Sequence, residues 1–312
     1  MFKNFSVVIS LIFITIFCIS FTNKDGIIKP QKQMLRRIVI DAGHGGKDWG
    51  TKGSNSTEKD VALAIALKLQ KTINEKMPDV EVIMTRTTDV FDNPRIKAIK
   101  ANQARGDLFI SIHCNEASAT THREEAGYKT TTYRSKGKKH TKKVMQYSYW
   151  TTPSEVVGTE TYIWGIAKNN AKEEALKEND FFSIDSLSDK ELRNFDPNDP
   201  AQRIEISLRT QQYGERSRKL AVTVEDEFEK TGRVSRGAKQ RDEKGIWVLQ
   251  AVAMPAILIE TGFLSNRKEE TYLTSEDGQQ ETAETIVKAL QRYKYSLDNK
   301  MIGVSNKSNN RK

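Results

Sequence analysis

Cysteine is almost missing from this chain: Cys18 and Cys114 are the two present in 312 residues. Cys18 lies in an N-terminal segment patterned for removal, so the remainder would hold one thiol and no intrachain disulfide. Stability must then come from an apolar core and from any bound metal. Histidine is scarce as well, and His44, His113, His122 and His140 are the whole supply for an imidazole-based site. No internal repeat is visible, and the one long, nearly unbroken apolar run lies at the N-terminus.

What is present is more telling. Hydrophobic residues make up 37% and charged residues 29%, enough for one sizeable core. The formal net charge of +9 favours polyanionic partners: nucleic acid, anionic lipid or an acidic wall polymer. Location decides among them. Lys3 precedes the apolar run 7–21, and Lys24 and Asp25 end it. A short basic start and a short apolar stretch read as an export signal over residues 1–22, with Ser20 and Thr22 as the small residues before the cut. Phe17 is bulky where a lipoprotein signal needs a small residue, which argues against lipidation of Cys18. The alternative is an uncleaved N-terminal anchor, which would be the one membrane contact. An exported protein of the periplasm or cell envelope excludes nucleic acid as the partner, although Arg134 to Lys143 is strongly basic. That basic stretch reads first as a solvated loop and next as a contact for anionic wall or lipid. His122 and His140 fall in the same polar region and read as surface residues.

Residues 23–34 form a polar linker. Residues 36–41 read as a buried strand ended by a turn rich in glycine, with Gly43, Gly45 and Gly46. A helix follows over 57–76, where Thr57 and Asp60 have the spacing of an N-terminal cap. Further strands are expected at 80–85, 107–114, 158–164 and 256–260. Helices are expected from Pro94 to about residue 105, over 203–230 and over 280–295. Residues 117–157 look polar and irregular. Residues 166–200 look helical to about Glu178 and looped beyond, and 299–312 look disordered. Strands alternating with helices predict an α/β fold with a mixed, largely parallel sheet flanked by helices. In such sheets ligands sit at the carboxyl ends of the strands.

Four ionisable residues fall at that edge. His44 lies just past the first strand, His113 ends the strand at 108–112, Glu260 ends the strand at 256–259, and Glu58 begins the helix after the first strand. Two imidazoles and a carboxylate make a three-ligand zinc set that leaves a position for water. Zinc brings the pKa of that water to about 7, and a carboxylate outside the ligand set can move the proton. Each residue also has a plainer reading. His113 could be a hydrogen-bonded core histidine, and Glu58 could serve the helix dipole. Glu260 is harder to dismiss, because a carboxylate at the end of an apolar strand needs a reason. Asp41 and Asn115 flank the histidines, either orienting the imidazoles or stabilising turns; Asn115 could also touch substrate.

The segment Ile38-Val-Ile-Asp-Ala-Gly-His-Gly-Gly-Lys-Asp48 resembles the opening motif of the zinc-dependent N-acetylmuramoyl-L-alanine amidases, the amidase 3 family. Glu58-Lys-Asp60, Thr85-Arg86 with Asp89, Ala101-Asn102, residues 107–115, Gly158-Thr-Glu-Thr-Tyr162 and residues 254–266 resemble later blocks in order. Ala42 departs from the proline usual there. The resemblance implies zinc ligands at His44, Glu58 and His113 and a catalytic Glu260. It implies hydrolysis of the amide between N-acetylmuramic acid and L-alanine of the peptidoglycan stem. It also suggests that residues 166–205 form a regulatory helical insertion, with Glu173, Glu174 or Glu178 reaching the zinc until a protein activator pulls the helix away; an ordinary solvated helix is the alternative. The expected organisation is a single catalytic domain over 35–298, acting as a monomer, with 299–312 as a tail. Neither flank is long enough for a wall-binding module. Two rival functions remain: a zinc peptidase cutting within the stem, and a non-catalytic wall-binding regulator.

Overall fold

A computed structural model describes residues 35–165, 168–183, 199–241 and 245–309. The export signal, the linker and the expected loop at 194–197 lie outside the described residues. The chain runs β1 (Arg37–Ala42), α1 (Glu58–Lys76), β2 (Glu81–Met84), α2 (Pro94–Gln103), β3 (Leu108–Asn115), β4 (Thr120–Ser135), β5 (Lys138–Thr152) and β6 (Thr159–Ile163). It continues with α3 (Asn169–Ser183), α4 (Pro200–Lys230), β7 (Ser235–Gln240), α5 (Trp247–Ala251), β8 (Ala256–Phe263), α6 (Arg267–Thr274) and α7 (Glu276–Asn309).

Six strands form one sheet in the order β2-β1-β3-β8-β6-β7. β1 pairs parallel with β2 and β3, β3 with β8, and β6 with β7; β6 runs antiparallel to β8. The α/β class with a largely parallel sheet is therefore as the sequence predicts. The central strands are mostly apolar because both of their faces are covered, with Asp41 and Ser111 as buried polar exceptions. Ile38, Ile40, Leu108, Ile110, Ile257 and Ile259 pack with Ile65 and Leu69 of α1, Leu220 and Val224 of α4 and Ile286 and Leu290 of α7. Val39, Phe109, Ala256 and Leu258 face the other way, against Ala98 and Ala101 of α2 and Leu249 of α5. Because β1 lies between β2 and β3, the chain leaves it in opposite directions, and the crevice at the β1–β3 carboxyl ends is a switch point where ligands collect.

Two expectations need correction. Residues 117–157 are not an irregular loop. Most of that stretch is a long antiparallel hairpin, β4 against β5, almost wholly exposed on both faces. Its turn is Lys136-Gly137, with φ of 48° and 75°, the left-handed pair that a two-residue hairpin loop requires. The helix expected to close the chain near residue 295 runs on, and α7 reaches Asn309. Residues expected to be disordered past 298 thus continue a helix already nucleated, where each added residue gains a hydrogen bond; residues 310–312 lie outside the described set. Among the described residues, no helix is long and apolar enough to cross a membrane.

α3 is anchored more firmly than its polar sequence suggests. Lys172 is buried, with Nζ donating to the carbonyls of Leu249 at 2.9 Å and Met254 at 2.8 Å, and also to that of Val252. The ammonium lies 4.4 Å from the Trp164 ring centroid. Burial holds the amine well below its ordinary pKa. Lys172→Met keeps the bulk but orphans three buried carbonyls, so a loss of roughly 2–4 kcal/mol in denaturant unfolding is expected. Unchanged stability would mean that the lysine is not what holds α3 to α5.

Candidate metal centre

The site begins with the turn after β1. His44 adopts φ 57° and is followed by Gly45 and Gly46, also at positive φ, so the chain doubles back and Gly45 and Asp48 exchange backbone hydrogen bonds. Left-handed backbone at a non-glycine residue costs energy and needs support. Arg86 supplies it from beyond β2: Nε donates to the Ala42 carbonyl at 3.0 Å, and Nη2 to Gly43 at 2.7 Å and Lys59 at 2.8 Å. Lys97 of α2 also donates to the Ala42 carbonyl, at 2.7 Å. Asp89 accepts from the Gly46 amide at 2.6 Å and pairs with Lys59. The Thr85-Arg86 and Asp89 motif is thus a brace for the histidine turn.

Glu58 opens α1 with its side chain 4% exposed. His113 Nδ1 lies 2.8 Å from its Oε1, and His44 Nε2 lies 3.1 Å from its Oε2. The amides of Cys114 and Thr51 donate to the same two oxygens, at 3.1 and 2.8 Å. Ligand atoms of His44, Glu58 and His113 all fall within 4.8 Å of one another. Two glycines make the room. A Cβ at Gly43 would stand 2.6 Å from the His113 ring, and one at Gly50 would stand 2.5 Å from Glu58 Oε2 and 2.6 Å from the His44 ring. Burial pushes the Glu58 carboxyl up, but hydrogen bonds from His113 and His44 outweigh this and hold it far below the usual range. Burial likewise opposes protonation of His44, yet its bonds to Glu58 and Asp48 raise it to about 9.

Glu260 stands beside this cluster. It is the register partner of His113 across β3 and β8, so both side chains leave the same face of the sheet. Its Oε2 is buried with no hydrogen-bond partner among the described residues. Burial raises its pKa to about 7, against the pull of His113. An unsatisfied buried carboxylate oxygen is costly, and this carboxyl lies within electrostatic reach of His113 and Glu58, members of a set of two imidazoles and one carboxylate that suits a borderline-soft divalent cation. The donor set and the unmet acceptor both fit a metal with water beside it.

The flanking residues divide. Asp41 does not orient a histidine. The pleat turns it toward α2, where it accepts from Thr85 and Ser111 at 2.6 and 2.7 Å and pairs with buried Lys97 at 2.9 Å. His44 is oriented instead by Asp48, whose Oδ2 lies 2.9 Å from Nδ1. The i, i+4 spacing of His44 and Asp48 across a glycine-rich turn was the available signal. Asn115 is the last residue of β3, paired with Phe263 across β8, and its Oδ1 accepts from the Glu116 amide. His122 and His140 lie on the hairpin, stacked on Trp150 and Tyr133. Of the α3 carboxylates, Glu174 is exposed and Glu173 half-buried, neither joins the cluster, and the Glu178 side chain lies outside the described residues.

The family model described as N-acetylmuramoyl-L-alanine amidase matches residues 38–292. The amidase AmiC of Escherichia coli O6:H1 is 32% identical over 259 residues, 82% of this chain and 52% of that protein. The AmiC amidase of Neisseria meningitidis serogroup B is 29% identical over 258 residues, again 82% and 52%. The chain therefore spans about half the length of these relatives. The crystal structure of an N-acetylmuramoyl-L-alanine amidase from Clostridium difficile 630 superposes with a TM-score of 0.51 at 26% identity, over 83% of this chain and 96% of that one.

The two aspartates make a discriminating pair. Asp48→Asn is expected to lower zinc affinity about 10–100-fold by releasing the His44 ring. Asp41→Asn leaves Lys97 buried without its counter-charge and should cost about 3–5 kcal/mol of stability, with zinc affinity kept. Zinc titration and denaturant unfolding of both variants check this, and equal zinc losses in the two would contradict it.

Proposed function

The chain belongs to the amidase 3 family of N-acetylmuramoyl-L-alanine amidases, and from that premise we propose that it is a zinc-dependent peptidoglycan amidase. It cleaves the amide bond between N-acetylmuramic acid and the L-alanine that begins the stem peptide. The observation that carries this reading is the meeting of His44, Glu58 and His113 within 4.8 Å, next to the unpartnered Glu260 Oε2. Zinc is the ion we assign to the three side chains; when bound, it polarises the scissile carbonyl and makes water a stronger acid. Glu58 holds its geometry through two backbone amides, and Asp48 fixes the His44 ring. Glu260 removes the proton from the attacking water and delivers it to the departing alanine nitrogen. Burial of Glu260 raises its pKa, which favours a carboxyl that can both take up and release a proton.

We place this action in the cell envelope, after export directed by residues 1–22, in daughter-cell separation or wall turnover. We also propose that residues 166–205 regulate access and that a protein activator acts through them. The support is position: α3 follows directly after β6, whose Glu160 is the register partner of Glu260. Lys172 sets the limits of a useful deletion, since its removal would unfasten α5. Excision of residues 184–198 alone should raise basal activity, and unchanged or lower activity in a folded protein would count against regulation.

Digestion of purified peptidoglycan tests the activity itself. Intact stem peptides with new L-alanine amines, lost on chelation and restored by zinc, are expected. Cuts within the stem would support a peptidase, and no products under any condition a wall-binding regulator. Glu260→Gln should abolish turnover with zinc still bound. It also carries a sign in pH. The raised Glu260 pKa gives the metal-free wild type a stability that is complete below about 4.5 and lost as pH rises through about 7. Metal-free Glu260→Gln should lack that loss, and an identical pH profile of melting would argue that the carboxyl is not buried.

A further inference from the structure

The strand order lays the site out in sequence along one edge of the sheet. The histidines come from β1 and β3, Glu260 from β8, and beyond it stand β6 and β7. In the proposed reaction Glu260 protonates the departing nitrogen, so the peptide half of the substrate lies on the β6–β7 side. Two strand spacings separate β8 from β7, about 10 Å, which is the reach of roughly three extended residues.

The side chains that wait there are cationic. Glu160 is the register partner of Glu260 in the antiparallel β6–β8 pair and is 4% exposed. It accepts from the Tyr162 hydroxyl at 2.5 Å, from Arg236 Nε at 2.5 Å and from Lys239 Nζ at 2.9 Å. The carboxylate lies deep and the two cations lie over it, with side chains 37% and 36% exposed. Burial pushes Glu160 up, but Tyr162, Arg236 and Lys239 outweigh it and keep it ionised. The Arg236 guanidinium lies 5.3 Å from the Phe263 ring centroid, and Arg241 lies 5.4 Å from the Tyr162 ring centroid. One carboxylate therefore steadies two cations, which leaves a net positive charge facing the cleft. A guanidinium held at Nε still presents its Nη donors, the pair that grips a carboxylate.

We propose that Arg236 and Lys239, steadied from beneath by Glu160, form a subsite for a free carboxylate on the second residue of the leaving peptide, inside the reach of three extended residues. The subsite rests on the amidase reading and adds to it a choice among substrates. Glu160 is a positioning residue: it touches no substrate and sets where the cations point.

The test uses two synthetic muramoyl peptides that differ at the second residue, one with a free carboxylate and one with its primary amide. The zinc-loaded wild type is expected to prefer the carboxylate about 10–100-fold in kcat/KM. Arg236→Gln and Lys239→Gln should each shrink that ratio. Glu160→Gln should raise KM for the carboxylate peptide more than for the amide and change kcat less than KM. Cleavage of both peptides by the wild type at equal efficiency would overturn the subsite and leave the amidase standing. Failure to cleave either peptide would overturn the amidase reading and the subsite with it.

Discussion

Glu58 is a carboxylate that folding removes from water, and much of the molecule is arranged around the consequences. Its two oxygens each accept from a backbone amide, that of Thr51 or of Cys114, in addition to the imidazoles beside them. Those amides belong to the turn ahead of α1 and to the end of β3, so the acceptor is preset by elements that also build the core. His44 and His113 meet this carboxylate, one through Nε2 and the other through Nδ1, with ring centroids 5.0 Å apart and planes at 74°. A buried charge persists only when it is paired and hydrogen-bonded. Here the pairing is made by groups that can equally ligate a cation, which is how one arrangement serves folding and chemistry together.

The same economy governs the supporting shell. Arg86 and Lys97 spend their donors on main-chain carbonyls of the Ala42–His44 turn, and they hold a left-handed histidine where a free turn would relax. Asn102 staples α2 to the segment before β8 through the Ala251 carbonyl and the Ala253 amide. Asn266 caps α6 and reaches back to the Ser154 carbonyl. Such residues act on the His44, Glu58 and His113 cluster from a distance: they fix backbone, and backbone fixes the cluster. The β4–β5 hairpin answers a different constraint. Among the described residues its edges are long and unpaired, a standing invitation to strand addition. Residues 127–146 carry seven lysines and arginines and no acidic residue, a like-charge guard against pairing with a second copy.

The parts of the fold legible from sequence were those with one strong period. β1, β3 and β8 are apolar runs ended by glycine or by site residues, and α1 and α4 keep a helical stripe. The site was legible because ionisable residues at strand ends are uncommon. The hairpin was not, because both its faces meet solvent and nothing forces apolar and polar residues to alternate; only Lys136-Gly137 and the threonine and tyrosine content hinted at it. β7 escaped notice for a similar reason: Ser-Arg-Gly-Ala-Lys-Gln has no apolar face, and pairing with β6 alone makes it a strand. Asp41 lies on the same face of the sheet as His113, but its oxygens are taken by Thr85, Ser111 and Lys97, partners 44 or more residues away that nearness along the chain does not show. Lys172 carries no mark in the sequence, since no local pattern distinguishes a lysine that caps the carbonyls of a distant helix.

X-ray absorption at the zinc edge on the purified, zinc-loaded protein puts the central claim to its most direct trial. A shell of two imidazole nitrogens with light oxygen or nitrogen donors and no sulfur is expected, and Glu58→Ala should lose an oxygen or the metal itself. A sulfur scatterer, a single imidazole, or an unaltered spectrum in Glu58→Ala would contradict the account.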